Sequence, residues 1–154
     1  MSKQIDQQET VILIHRVWSY SEAVKAVPYF RSLLRSLREH WLDMKVARKR
    51  LWLMDARPGR PDRKGLIQRQ DIRQEAARAQ EELEETSHEL LVLDVHSPDP
   101  VNGLALVPFT CGADLAWLVV DLFAPEGLAG WRRQTDAPEM RRPLASLPAA
   151  VIRR

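Results

Sequence analysis

Two runs of apolar residues set three and four apart, divided by a stretch that cannot stay helical, constrain this chain more than any other feature. In the first run Val27, Phe30, Leu34, Leu37, Trp41, Met44 and Leu51 keep the alternating spacing, broken only by Arg48. In the second, Ile72, Ala76, Ala79, Leu83, Thr86, Leu90 and Leu93 repeat it. Such spacing gathers the apolar side chains into one stripe, the seam of a coiled coil. Between the runs, DARPGRPDRKG (55–65) holds two prolines and two glycines and stops the helix. The pattern predicts an antiparallel helical hairpin over 19–94, its second helix of about 26 residues spanning about 39 Å at 1.5 Å per residue.

The start of the first helix is written in Ser19-Tyr20-Ser21-Glu22, which has the form of a capping box. Pro28 lies too deep to be a first helical residue and takes away the partner of the Val24 carbonyl, so a kink is expected there. Before the helix, VILIHRVW (11–18) is short and rich in β-branched types and reads as a strand. After the hairpin, HSPDPVNG (96–103) reads as a loop, and LALVPFT (104–110), LAWLVVDLF (115–123) and LAGWRR (128–133) as strands. Ala124-Pro125-Glu126-Gly127 has the residue preferences of a type I turn, joining the last two strands in a hairpin. The tail 134–154, with Pro138, Pro143 and Pro148, is expected to run irregularly along the surface.

The fold class that follows is α+β: a long antiparallel helical (coiled-coil) hairpin packed with a small antiparallel β-sheet of three to four short strands. The sheet is drawn from 11–18 and 104–133, within a single domain over 1–154. A chain of 154 residues, 45% hydrophobic, suits one core. The single cysteine, Cys111, excludes an internal disulfide, and no basic start followed by an apolar run opens the chain, so a cytoplasmic setting is expected. The longest apolar stretch, 115–123, contains Asp121 and is far short of the roughly 18 residues a membrane span requires, so no membrane partner is expected.

The near-neutral net charge of +2 hides a partition. Residues 19–64 carry twelve Lys/Arg against five Asp/Glu, and 65–94 carry three against eight. Placed on heptads, Arg31, Arg35, Arg38, Lys45 and Lys49 form a basic line on the first helix, and Glu75, Glu82, Glu85 and Glu89 an acidic line on the second. In an antiparallel pair these lines lie on opposite sides, so they meet between hairpins rather than within one. That motivates a homodimer built as a four-helix bundle; the alternative is a monomer with two solvated faces. A further alternative is nucleic-acid binding along the basic face, aided by arginines 132, 133, 141, 142, 153 and 154. The acidic second helix and the lack of a recognised reading module weigh against it.

The order of several short motifs resembles a bacterial family of domains of unknown function, numbered 2203. The motifs are Ser19-Tyr20-Ser21-Glu22-Ala23 followed by Val27-Pro28, Gly103-Leu104-Ala105-Leu106-Val107-Pro108, Phe123-Ala124-Pro125-Glu126, Trp131-Arg132, and Arg141-Arg142-Pro143-Leu144. The resemblance covers roughly 15 to 144 and implies a short strand, a long helical hairpin and closing strands. It also implies an Asp, a Glu and a His able to hold a metal or move protons in typical members. Here those positions are Leu106, Ala124 and Arg132, which do neither, while Glu126 and Trp131 remain.

Other chemistry finds little support. Glu85-Thr86-Ser87-His88 has the Glu-x-x-His spacing of di-iron bundles, which need two such motifs; one is present, and Thr86 and Leu90 on the seam turn His88 outward. No paired-Cys, His-Glu-x-x-His, Gly-x-Ser-x-Gly or phosphate-cradling glycine motif occurs, so no cofactor and no catalytic residue is assigned. Trp131 is expected on the face of Leu118, Val120 and Leu122, while Trp117, Val119 and Phe123 make the opposite face apolar and in need of a second cover. With residue 124 opposite 127, Asp121 falls opposite Gly130 and diagonal to Arg132, which predicts a structural pair. Asp121, Glu126, Trp131 and Arg132 are thus the candidate pocket or structural cluster. The expected function is that of a non-enzymatic, self-associating helical interaction protein. The alternative is a small-molecule or metal-binding, even enzymatic, domain with its pocket between sheet and helices.

Overall fold

The structure, a computed structural model, describes residues 16–153. Helix α1 (Tyr20–Asp55) begins at the Ser19 cap, whose hydroxyl accepts from the Glu22 amide at 3.2 Å. It runs through Pro28 as one helix of 36 residues. The loop that follows closes on Asp62, whose carboxylate accepts from the Gly65 amide at 2.7 Å and caps α2 (Arg63–Val92). α2 therefore starts ahead of its apolar pattern and is 30 residues long. Its end is a Schellman motif: the Asp94 amide donates to Leu91 and the Val95 amide to Leu90, with Asp94 at φ +54.

Four strands follow, β1 (His96–Asp99), β2 (Leu104–Cys111), β3 (Asp114–Asp121) and β4 (Leu128–Arg133), paired in that order as an antiparallel sheet. The α+β fold class and the hairpin-plus-sheet architecture read from the sequence are what the structure has. The segment 96–103 is corrected, because its first four residues form β1, where Pro98 is tolerated as it is on an edge strand. Of the expected strand 11–18, residues 11–15 lie outside the described residues, and Arg16 and Val17 are not in a strand. Its last residue, Trp18, makes a parallel bridge to Phe109, its amide donating to the Pro108 carbonyl at 2.9 Å.

One sheet face packs on the N-terminal half of α1. Ala23, Val27, Phe30, Leu34 and Leu37 meet Val107, Phe109, Leu118, Val120 and Trp131, joined by Leu90 from α2. Phe30, Leu34, Phe109 and Leu118 are fully buried, so truncating either Phe to Ala removes about 3–5 kcal/mol. The Trp18 ring stands edge-on to Phe30 at 5.3 Å, and its Nε1 donates to the Leu93 carbonyl at 2.9 Å, tying the start of α1 to the end of α2. The tail is also corrected. Arg142 exchanges two backbone hydrogen bonds with Trp131 along the free edge of β4, a 3-10 turn (Leu144–Ser146) and a short helix α3 (Ala149–Ile152) follow, and Leu147 and Val151 enter the main core.

Farther along the hairpin the helices bury only each other, through Met44 and Ala47 on α1 and Ile72 and Ala79 on α2. The outer sheet face carries a smaller cluster of Leu106, Trp117 and Val119, backed by Ala129.

At Gly130 the backbone has φ +137, and a Cβ there would stand 2.5 Å from the Arg142 carbonyl oxygen. Neither strand nor tail can yield without losing the Trp131–Arg142 pairing. Gly130→Ala is expected to lower unfolding free energy by about 2 kcal/mol or more in a urea melt.

Candidate functional site

Of the four residues grouped near the β3–β4 hairpin, the structure gathers only some. The turn itself is as expected, with the Gly127 amide donating to the Ala124 carbonyl at 3.1 Å. The strand register is not. Asp121 pairs with Gly127, its amide donating to that carbonyl at 2.9 Å, Val120 pairs with Leu128 and Val119 with Gly130, leaving Ala129 as a bulge. Gly130 is therefore not opposite Asp121, and Arg132 pairs with Trp117, four residues back along β3. The predicted Asp121–Arg132 pair does not form. The Asp121 carboxylate instead accepts from the Phe123 amide at 2.9 Å and holds the turn.

Trp131 lies on the core face as expected, opposite Leu118, and its Nε1 donates to the Pro143 carbonyl and to Ser146 Oγ at 3.1 and 3.0 Å. Glu126 is exposed at the turn. Arg132 is half-buried on the other face, its Nε buried without a hydrogen-bond partner. Burial and then the neighbouring Arg141 depress its pKa, opposed by Asp136 and Glu139. The ion pair that does organise this region was not anticipated: Arg142 grips Asp136 with two bonds of 2.7 and 2.8 Å, and the Arg133 amide donates to the same carboxylate at 2.8 Å. The Arg142 contact, then the amide, hold the Asp136 carboxyl well below its ordinary range. The Pro-Glu-Met run between these residues masked the pairing in the sequence.

The basic line on α1 also divides. Arg31 reaches the Leu122 carbonyl at 3.5 Å and packs over Gly127, and Arg38 donates to the Val101 carbonyl at 2.9 Å with its guanidinium 5.3 Å from the Phe123 ring. These two fasten the helix to the loops at one end of the sheet. Lys45 lies 4.8 Å from the Trp41 ring on its own helix, and Arg35 and Lys49 are exposed. Of the candidate polyanion or dimer face of Arg31, Arg35, Arg38, Lys45 and Lys49, Arg31 and Arg38 are thus engaged at the sheet, and Arg35, Lys45 and Lys49 are exposed.

Two other surfaces carry more. Where α1 and α2 meet β1, a cleft of about 410 Å³ is lined by Leu37, Trp41, Leu83, Leu90, His96 and Leu106, and holds no formally charged side chain. His96 stands edge-on to Trp117 at 5.6 Å, and burial lowers its pKa against the opposing pull of Asp94, which favours the neutral imidazole. On the distal hairpin, two joined hollows of about 340 and 420 Å³ share Arg50 and Glu75 and form a groove between the helices. Their charged rims bracket the small residues Ala47 and Ala79.

Among the described residues, no group of three His, Cys, Asp or Glu side chains is placed to hold a metal, and no helix is long and apolar enough to cross a membrane. His88 is exposed, and Thr86 and Leu90 are buried beside it, as the spacing predicted. His40 pairs with Glu82 at 3.1 Å between the helices. Leu106 and Arg132, two of the positions where the motif resemblance puts polar residues, share the outer sheet face, while Ala124 lies in the turn beyond β3. Comparison of the chain with protein-family models, with curated proteins and with solved structures gives no match.

The register makes Asp121 and Arg132 energetically independent. Asp121→Ala is expected to cost about 0.5–1 kcal/mol through the lost turn contact, and the same amount again in an Arg132→Ala background. A coupling energy clearly above about 0.5 kcal/mol in that double-mutant cycle would restore the pair.

Proposed function

We propose that this chain is a non-enzymatic interaction protein that associates with a second copy of itself through the distal half of its helical hairpin. The observation that carries the reading is the exposure of large apolar side chains there: Val46 is 52% exposed, Trp52 68%, Leu53 48%, Leu66 52% and Ile67 55%. Scattered singly such residues are ordinary, but grouped on two helices that bury little between them they mark a contact surface.

Charge supports the same reading. Residues 45–73, around the tip of the hairpin, carry ten Lys/Arg against three Asp/Glu, and 81–94, near the sheet, carry six acids and no Lys or Arg. The hairpin is thus polarised along its length. Two hairpins laid antiparallel set the basic tip of each beside the acidic base of the other, and screening weakens that attraction as salt rises. The motif resemblance to the family numbered 2203 belongs to this proposal too, with Leu106, Ala124 and Arg132 standing where its polar residues would be. Light scattering across protein concentration is expected to give a dimer at low ionic strength, weakened at about 1 M salt. A monomer under both conditions sinks the reading.

A second reading is favoured by the cleft beside β1. Its size falls within the roughly 300–1,000 Å³ of small-molecule sites, and its largely apolar lining without formal charge suits a neutral apolar ligand. A medium-chain alcohol should raise the melting temperature, and the carboxylate of equal chain length should not; equal or absent shifts dispose of it.

A further inference from the structure

We infer that the groove on the distal hairpin is one half of a two-fold interface whose centre lies at the level of Arg50 and Glu75. The inference rests on the self-association proposed above and names the surface and the symmetry. An isologous contact requires a surface complementary to itself when turned end over end. Two pairs of helical residues lining this groove meet that requirement about one common centre, and a third pair reaches just past the end of α1.

Asp43 lies seven residues before Arg50 on α1, about 10.5 Å along the axis, while Arg57 lies seven residues after it in the loop just past the helix end at Asp55, and both line the groove. An antiparallel second copy centred at Arg50 therefore brings the Asp43 carboxylate toward the helix end that carries the Arg57 of that copy, and the reverse. On α2, Arg78 and Asp71 lie three residues after and four before Glu75, again lining the same groove. The same axis brings each Arg78 level with the Asp71 of the second copy. The half-exposed Val46 and Leu53 have their midpoint between residues 49 and 50, so each Val46 comes within one residue's rise of the opposing Leu53.

The centres found separately on the two helices agree. Arg50 and Glu75 are themselves joined across the hairpin at 3.9 Å, so the midpoint of 46 and 53 and the midpoint of 71 and 78 stand near one level. That bridge also neutralises the two Arg50 guanidiniums, which the axis would bring close. Asp43, Arg57, Asp71 and Arg78 are all exposed, and among the described residues none forms an ion pair within its own chain. The floor between them is small, with Ala47 and Ala79, which lets a second pair of helices approach closely. In this arrangement α1 packs on α1 of the second copy and α2 on α2, closing a four-helix bundle. The occupant is a second copy because the charges on the rim alternate in sign, whereas a polyanion would meet Asp43, Asp71, Glu75 and Glu82 as well as the arginines.

Charge reversal and swap test the arrangement in the full chain. Arg78→Asp alone and Asp71→Arg alone each set like charges opposite one another twice per dimer, and are expected to weaken dimerisation about tenfold or more at low salt. The double swap D71R/R78D restores opposite charges and should return the dimerisation constant to within about threefold of the parent, with circular dichroism confirming unchanged helix content. A parent dimer indifferent to the single reversals, or a swap that fails to rescue, overturns this interface and leaves self-association standing. A parent that stays monomeric, or that is retained on heparin or anionic vesicles without dimerising, overturns both.

Discussion

Everything outside the distal hairpin hangs on the burial of one sheet face by the first five turns of α1. Phe30 and Leu34 share one buried cluster with Phe109 of β2 and Leu118 of β3, and that apolar contact is what each remaining element is arranged to complete. Trp18 closes one margin by standing edge-on to Phe30 and hydrogen bonding to the end of α2. Trp131 closes another, its ring 6.5 Å from Phe109 and its Nε1 satisfied by the tail. A buried indole requires such a partner, and here the partner is a chain segment with almost no regular structure. The tail is thereby a structural part of the core.

The same contact explains why the molecule has two unlike halves. The sheet covers α1 as far as Leu37, and beyond that point the helices have only each other. Alanines at 47, 76 and 79 bring the backbones together without offering much area to bury. Stability there cannot come from the seam alone, since isolated helices draw most of their stability from packing. The exposed Val46, Trp52, Leu53, Leu66 and Ile67 are apolar area that the monomer leaves in water.

Much of this was legible in the sequence because it depends on periodicity. The seam residues from Val27 to Met44 and from Ile72 to Leu90 are buried or half-buried in order, and Ser19 caps α1 as its neighbours foretold. What was not legible depends on partners distant in the chain. β1 was hidden because its four residues, His-Ser-Pro-Asp, have turn composition, and only the open edge of β2 makes them a strand. Arg31 and Arg38 looked like members of a free basic stripe because helix periodicity shows the face of a side chain and not the carbonyl it will reach. The clasp between Asp136 and Arg142 had no spacing rule to announce it.

The β3–β4 hairpin shows how these two kinds of information can part. Its composition marked the turn and put Trp131 on the correct face, yet the pairing was displaced by two residues, an even number that preserves the face and changes every neighbour. The observed register holds Trp131 inside only because Ala129 is counted out of the ladder. Were Ala129 instead counted into the ladder opposite Val119, Trp131 would fall opposite Trp117 and send its indole outward, with Arg132 driven into the apolar interior opposite Ala116. What decides the inside of this sheet near its edge is accordingly arithmetic parity, carried by one small residue with no chemistry of its own that the pairing leaves out.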